Sequence, residues 1–82
     1  MANLNVEVSV YNGPYRRADR IPKDELVIWD GEICVVKRAE FVDNGVRVKV
    51  WLEIQYPNEP QEIITTVNVK YEFQTVVVRV DQ

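Results

Sequence analysis

The side chains best suited to chemistry are few in this chain, and histidine is absent altogether. The commonest general base and the imidazole metal ligand are therefore both missing. The one serine, Ser9, lies in an alternating apolar and polar run with no Gly-x-Ser-x-Gly setting. Three scattered glycines cannot build a phosphate-cradling loop. Asp30 and Asp43 stand in turn-like contexts, where aspartate is favoured for backbone reasons rather than for acid–base work. No segment places acids closely around a glycine as an oxygen-only calcium loop requires. Cys34 lies among Ile33, Val35 and Val36, has no histidine to activate it, and reads as a small buried apolar group. The expectation is a non-enzymatic chain with no metal and no cofactor.

Recognition chemistry has better material. Arg47, Lys49, Trp51 and Glu53 alternate, so a strand there presents all four on one side. An indole flanked by cations is the kind of group that anchors a contact. A second cluster holds Tyr15, Arg16, Arg17, Arg20 and Lys23, with Asp19 and Asp24. Residues 12–24 carry four bases and two acids, a balance of +2, against a net −3 for the whole chain, which leaves −5 for the remainder. Guanidinium groups suit carboxylates, phosphates and aromatic faces.

Length and composition bound what these groups can belong to. Eighty-two residues make one domain, 1–82, with a shallow core. Thirteen acids against ten bases argue mildly against non-specific nucleic-acid binding, which shows the opposite excess. The lone cysteine rules out an intrachain disulfide and fits a reducing compartment. No apolar run has membrane-spanning length, and Met1-Ala2-Asn3-Leu4-Asn5 lacks the basic start and apolar stretch of a signal peptide. The expected compartment is a cytoplasm, the protein's own or that of a host cell.

The elements that must position these groups are strands. Leu4, Val6, Val8 and Val10 alternate with Asn5, Glu7, Ser9 and Tyr11, a strand with one buried face, stopped by Asn12-Gly13-Pro14. Residues 12–24 then read as a long loop with room for one helical turn. Glu25 to Trp29 is a short strand, and Asp30-Gly31 a type I′ hairpin signal that pairs Leu26 with Val35 and Ile28 with Ile33, and sets Val27 beside Cys34. Both faces of that hairpin are apolar, so both are expected to be covered. The apolar phase shifts after Lys37-Arg38, the mark of a bulge.

A two-residue turn at Asn44-Gly45 sets Phe41 against Val48 and Ala39 against Val50; a turn one residue longer would bury Glu40 and Arg38. Val46, Val48, Val50, Leu52, Ile54 and Tyr56 then face the core. A four-residue loop, Pro57-Asn58-Glu59-Pro60, pairs Ile54 with Ile63, Val50 with Val67, Val48 with Val69 and Val46 with Tyr71. This register sets Arg38 and Thr66 beside Trp51, Glu40 and Asn68 beside Lys49, Lys70 beside Arg47, and Ile64 beside Glu53. The stretch from Gln61 to Val80 is too long for one strand, and its phase changes near Gln74-Thr75, where a break is expected.

The chain is thus expected to be all-β: five or six antiparallel strands in a small, strongly bent barrel or sandwich of SH3-like or OB-like size. The leading functional expectation is a protein-binding domain acting through Trp51, Arg38, Lys49, Arg47 and Lys70, or through Tyr15, Arg16, Arg17 and Arg20. Its brevity and lack of catalytic groups resemble small viral or mobile-element accessory or inhibitor proteins. One alternative is a nucleic-acid or nucleotide binder, since interleaved aromatic and basic residues on a sheet can stack bases and hold phosphates. The other is a subunit of a homo-oligomer, since the Val-rich strand ending the chain is an unprotected edge unless paired.

Overall fold

The computed structural model describes residues 7–54 and 60–81 and is all-β. Its strands are β1 (Glu7–Arg17), β2 (Leu26–Trp29), β3 (Glu32–Val42), β4 (Arg47–Ile54), β5 (Gln61–Asn68) and β6 (Glu72–Asp81). They form one six-stranded sheet in the order β1-β6-β2-β3-β4-β5, antiparallel throughout. The ladder is not closed into a barrel: β1 and β5 are its two edges.

Two local turns form as their residues dictate. Asp30 and Gly31 take φ values of 50° and 78°, and the hairpin pairs Leu26–Val35, Val27–Cys34, Ile28–Ile33 and Trp29–Glu32 as expected. Asn44 and Gly45 also take positive φ, Val46 N–H donates to the Asp43 carbonyl, and Ala39–Val50 and Phe41–Val48 pair as the two-residue turn requires. The bulge falls between Val36 and Arg38.

One face of the sheet carries the core. Val27, Cys34, Val36, Val48, Val50, Leu52 and Phe73 are buried there, with Ala18 and Ile21 from the segment after β1 packed into the same cluster. Backbone bonds lace that segment to the β5–β6 connection: Ala18 N–H donates to the Tyr71 carbonyl at 2.7 Å and Asp19 N–H to Val69 at 3.3 Å.

Several expectations are corrected. Asn12-Gly13-Pro14 does not end the first strand, and 12–24 is not one loop. β1 runs on to Arg17, a 3₁₀ turn covers Ala18–Arg20, and the Gly-Pro pair becomes a bulge between Asn12 and Tyr15. Proline is tolerated there because β1 is an edge strand and its missing N–H leaves no ladder bond unmade. Gln74 Nε2 donates to the Gly13 carbonyl at 2.7 Å and the Thr75 hydroxyl to the Pro14 carbonyl, which pins the bulge.

Val8 and Val10 are exposed rather than buried. They belong to a two-stranded arm, Glu7–Asn12 against Val76–Asp81, beyond the point where β2 stops pairing with β6. Leu4, Val6, Tyr56 and most of the Pro57–Pro60 loop lie outside the described residues.

The β4–β5 register is displaced by two residues. Leu52, not Ile54, meets Ile63; Val48 meets Val67; Val50 meets Thr65. An even slip keeps every side chain on its face, so the hydrophobic pattern is satisfied equally by both registers. The break in the last stretch comes at Val69–Tyr71, not at Gln74-Thr75. Tyr71 N–H donates to the Asn68 carbonyl, and Asn68 Oδ1 accepts from Lys70 N–H at 2.8 Å, a turn closed by an asparagine side chain without glycine or proline. Val46 and Tyr71 do not pair, and both are exposed. Phe41 and Ala39 pair as expected, yet they are exposed because the covering segment ends at Ile21. The outer face of the β2–β3 hairpin is likewise only half-buried, with Ile33 exposed.

Candidate functional site

The middle of the sheet positions the recognition residues on the face away from the core. Alternation along β4 turns Val48, Val50 and Leu52 inward and leaves Arg47, Lys49, Trp51 and Glu53 outward. Lys37 is the extra residue of the β3 bulge, which shifts the phase so that Arg38 and Glu40 also face outward. Arg38 is then the direct neighbour of Trp51, and Glu40 of Lys49. On the other side, the observed register sets Ile64 beside Trp51, Thr66 beside Lys49, Asn68 beside Arg47 and Glu62 beside Glu53.

The Trp51 ring is clasped by cations. The Arg38 guanidinium lies 4.8 Å and the Lys49 ammonium 5.0 Å from the ring centroid. Each such contact at an exposed site contributes about 0.5–1 kcal/mol. Arg38 also donates to the Glu40 carboxylate. Arg47 is held more loosely, 3.6 Å from Asp43 and 3.5 Å from the Thr66 carbonyl. The indole is partly exposed and Ile64 beside it is exposed, so an apolar centre is ringed by charge. The segment 12–24 does not cover it: Ala18 and Ile21 pack on the opposite face.

The charge of this face differs from the mostly basic surface expected. Lys70 is not on it, standing instead in the turn after β5. Arg38, Arg47 and Lys49 are balanced by Glu40, Glu53 and Glu62, three against three. Glu53 and Glu62 are direct cross-strand neighbours. The register slip misplaces Ile64 beside Glu53, and alternation alone, blind to an even slip, could not set it beside Trp51.

The second cluster stands apart. Tyr15, Arg16, Arg17 and Arg20 line a shallow cavity of about 310 Å³ with Glu72, at the β1 edge. Three strands separate β1 from β4 in the sheet order. Its charges are largely spoken for: Arg17 pairs with Asp19 at 2.8 Å and Arg16 with Glu25 at 3.6 Å.

Cys34 is fully buried, and burial pushes its thiol above the ordinary 9.0; the charge of Glu32 adds to this, and a backbone hydrogen bond at Trp29 opposes it. A raised native value means that the unfolded chain ionises first. The stabilisation is complete below about pH 9 and is lost as pH rises through the elevated native value. Urea midpoints of the native chain should therefore fall more between about pH 8 and about pH 10 than those of Cys34→Ala. Parallel declines would show that the thiol plays no part. Among the described residues, no group of three or more Cys, Asp or Glu side chains could hold a metal ion, and no helix is long and apolar enough to cross a membrane. Comparison with known proteins finds no match to any family model, curated sequence or solved structure.

Proposed function

We propose that this chain is a non-enzymatic protein-binding domain whose contact surface is the outer sheet face centred on Trp51. The observation that carries the reading is the apolar pair Trp51–Ile64, accessible on a three-stranded platform and bounded by charges of both signs. Protein contacts are built this way, with a desolvated aromatic anchor inside a polar rim. The opposed carboxylates of Glu53 and Glu62 favour a partner that brings a cation to that end of the face. A nucleic-acid partner is less well served. Arg38 and Lys49 already lie against the indole, so a stacking base would have to displace them, and the balanced face offers no net attraction for phosphates.

The test is affinity capture from a relevant lysate with the native chain, Trp51→Ala and Arg16→Ala. A specific partner should be recovered by the native chain and by Arg16→Ala, and its binding should weaken at least about 30-fold with Trp51→Ala, the loss of an aromatic hot spot. Retention by Trp51→Ala refutes this surface. A salt-sensitive change in Trp51 fluorescence on adding oligonucleotide would favour the nucleic-acid reading instead.

A further inference from the structure

A row of exposed apolar side chains outside the core belongs to the arm. Glu7–Asn12 and Val76–Asp81 pair in register, Val8 with Val80 and Val10 with Val78, so these four valines share one side. They are 59%, 59%, 52% and 41% exposed respectively. Strand β6 contributes no extra residue at the β1 bulge, so its alternation is unbroken. Phe73 and Thr75 point into the core, which sets Val76, Val78 and Val80 on the outer side with Gln74 and its neighbour Ile28; Val76 is itself buried there, and Val78 and Val80 are the exposed members of the row. Beyond the buried Val76, the same side of the sheet leads to the outer face of the β2–β3 hairpin, where Ile33 is exposed and Leu26, Ile28 and Val35 are half-buried.

We infer that this aliphatic strip is a self-association surface, occupied by the same strip of a second copy related by a two-fold axis. Three observations favour a second copy over a foreign chain. First, the valine face offers a partner no charge, so burial of apolar area is the attraction available, and an identical strip supplies matching rows of β-branched side chains. Two such faces stack about 10 Å apart as in a β-sandwich. Secondly, a two-stranded ribbon is marginal by itself in water and needs a further layer. This ribbon nevertheless extends away from the domain: the radius of gyration is 14.8 Å, against about 12 Å for a compact chain of this length. Thirdly, the area suits a weak dimer. The strip is about 24 Å long and about 12 Å wide from strand dimensions. That footprint is about 290 Å² per copy, and with side-chain relief two copies bury on the order of 600–1,000 Å², at or below the lower end for a specific interface. An interface of this size gives a weak dimer.

The strip and the Trp51 face lie on the same side of the sheet and meet where Val35 pairs with Glu53. The arm valines that carry this inference lie beyond β2, away from Trp51, so Val78→Lys and Trp51→Ala tell the two inferences apart. Sedimentation equilibrium of the full chain from about 1 µM to about 1 mM should show the mass rising from monomer to a dimer plateau. Val78→Lys should raise the midpoint at least about 30-fold, Val77→Lys on the other side of the arm less than about threefold, and Trp51→Ala should leave it in place. Unchanged thermal transitions at low concentration would establish that the variants fold. A monomer at every concentration overturns the inference, as do equal effects of the Val77 and Val78 variants, a shift with Trp51→Ala, or growth beyond a dimer without a plateau.

Discussion

Phe73→Ala is expected to lower the unfolding free energy by about 3–5 kcal/mol, the range for removing a fully buried aromatic ring. Phe73 is completely buried, with its ring 4.9 Å from Tyr71 and 5.8 Å from Trp29, so three aromatics cap one end of the core. Tyr71 and Trp29 belong to turns and strand ends that cannot collapse inward without breaking the β5–β6 connection and the Asp30-Gly31 hairpin. The cavity should therefore stay open, which places the cost toward the upper end. A chain of this length has a total stability of about 4–12 kcal/mol, so the variant should be partly unfolded at room temperature if the native chain lies in the lower half of that range. Urea unfolding measures this directly. Phe73→Leu, which keeps most of the volume, should lose less than half as much; an equal loss in both would mean that the ring geometry, rather than the filled volume, is what matters.

The second large effect should come from a position with no side chain. A Cβ on Gly13 would stand 2.6 Å from the Thr75 hydroxyl and 3.2 Å from a Val77 methyl. Thr75 is buried and its hydroxyl is committed to the Pro14 carbonyl, so it cannot swing aside without orphaning an acceptor. Gly13→Ala should therefore cost about 1–3 kcal/mol as an overpacked contact. The clash predicts its own rescue. In Thr75→Ala the obstructing hydroxyl is gone, and adding Gly13→Ala should then cost less than about 0.5 kcal/mol. Strict additivity in this double-mutant cycle would locate the cost of Gly13→Ala in the bulge backbone instead. The arm begins at this bulge, so a distorted Gly13 should also weaken the self-association argued above.

What could be read in the residues themselves was local. Asp30-Gly31 and Asn44-Gly45 each carry the residues that type I′ geometry demands, and each turn sets the register of its hairpin within a few residues. The phase change at Lys37-Arg38 announces its bulge. Together these place Arg38 and Lys49 around Trp51, which is why the heart of the candidate site was legible. Long-range placement was not. A period of two is blind to an even slip, so alternation could not distinguish Ile63 opposite Leu52 from Ile63 opposite Ile54. Alternating valines look the same whether the buried side meets a core or stands in an arm, and only the pairing of β1 with β6 beyond the end of β2 decides that Val8, Val10, Val78 and Val80 remain outside. The turn at Val69–Tyr71 is held by an asparagine side chain and by bonds to Ala18 and Asp19, so its cause lies some fifty residues away along the chain. Turn chemistry and side-chain period act over a handful of residues; which strands meet, and where the sheet outruns its core, is settled by contacts between the chain's two ends.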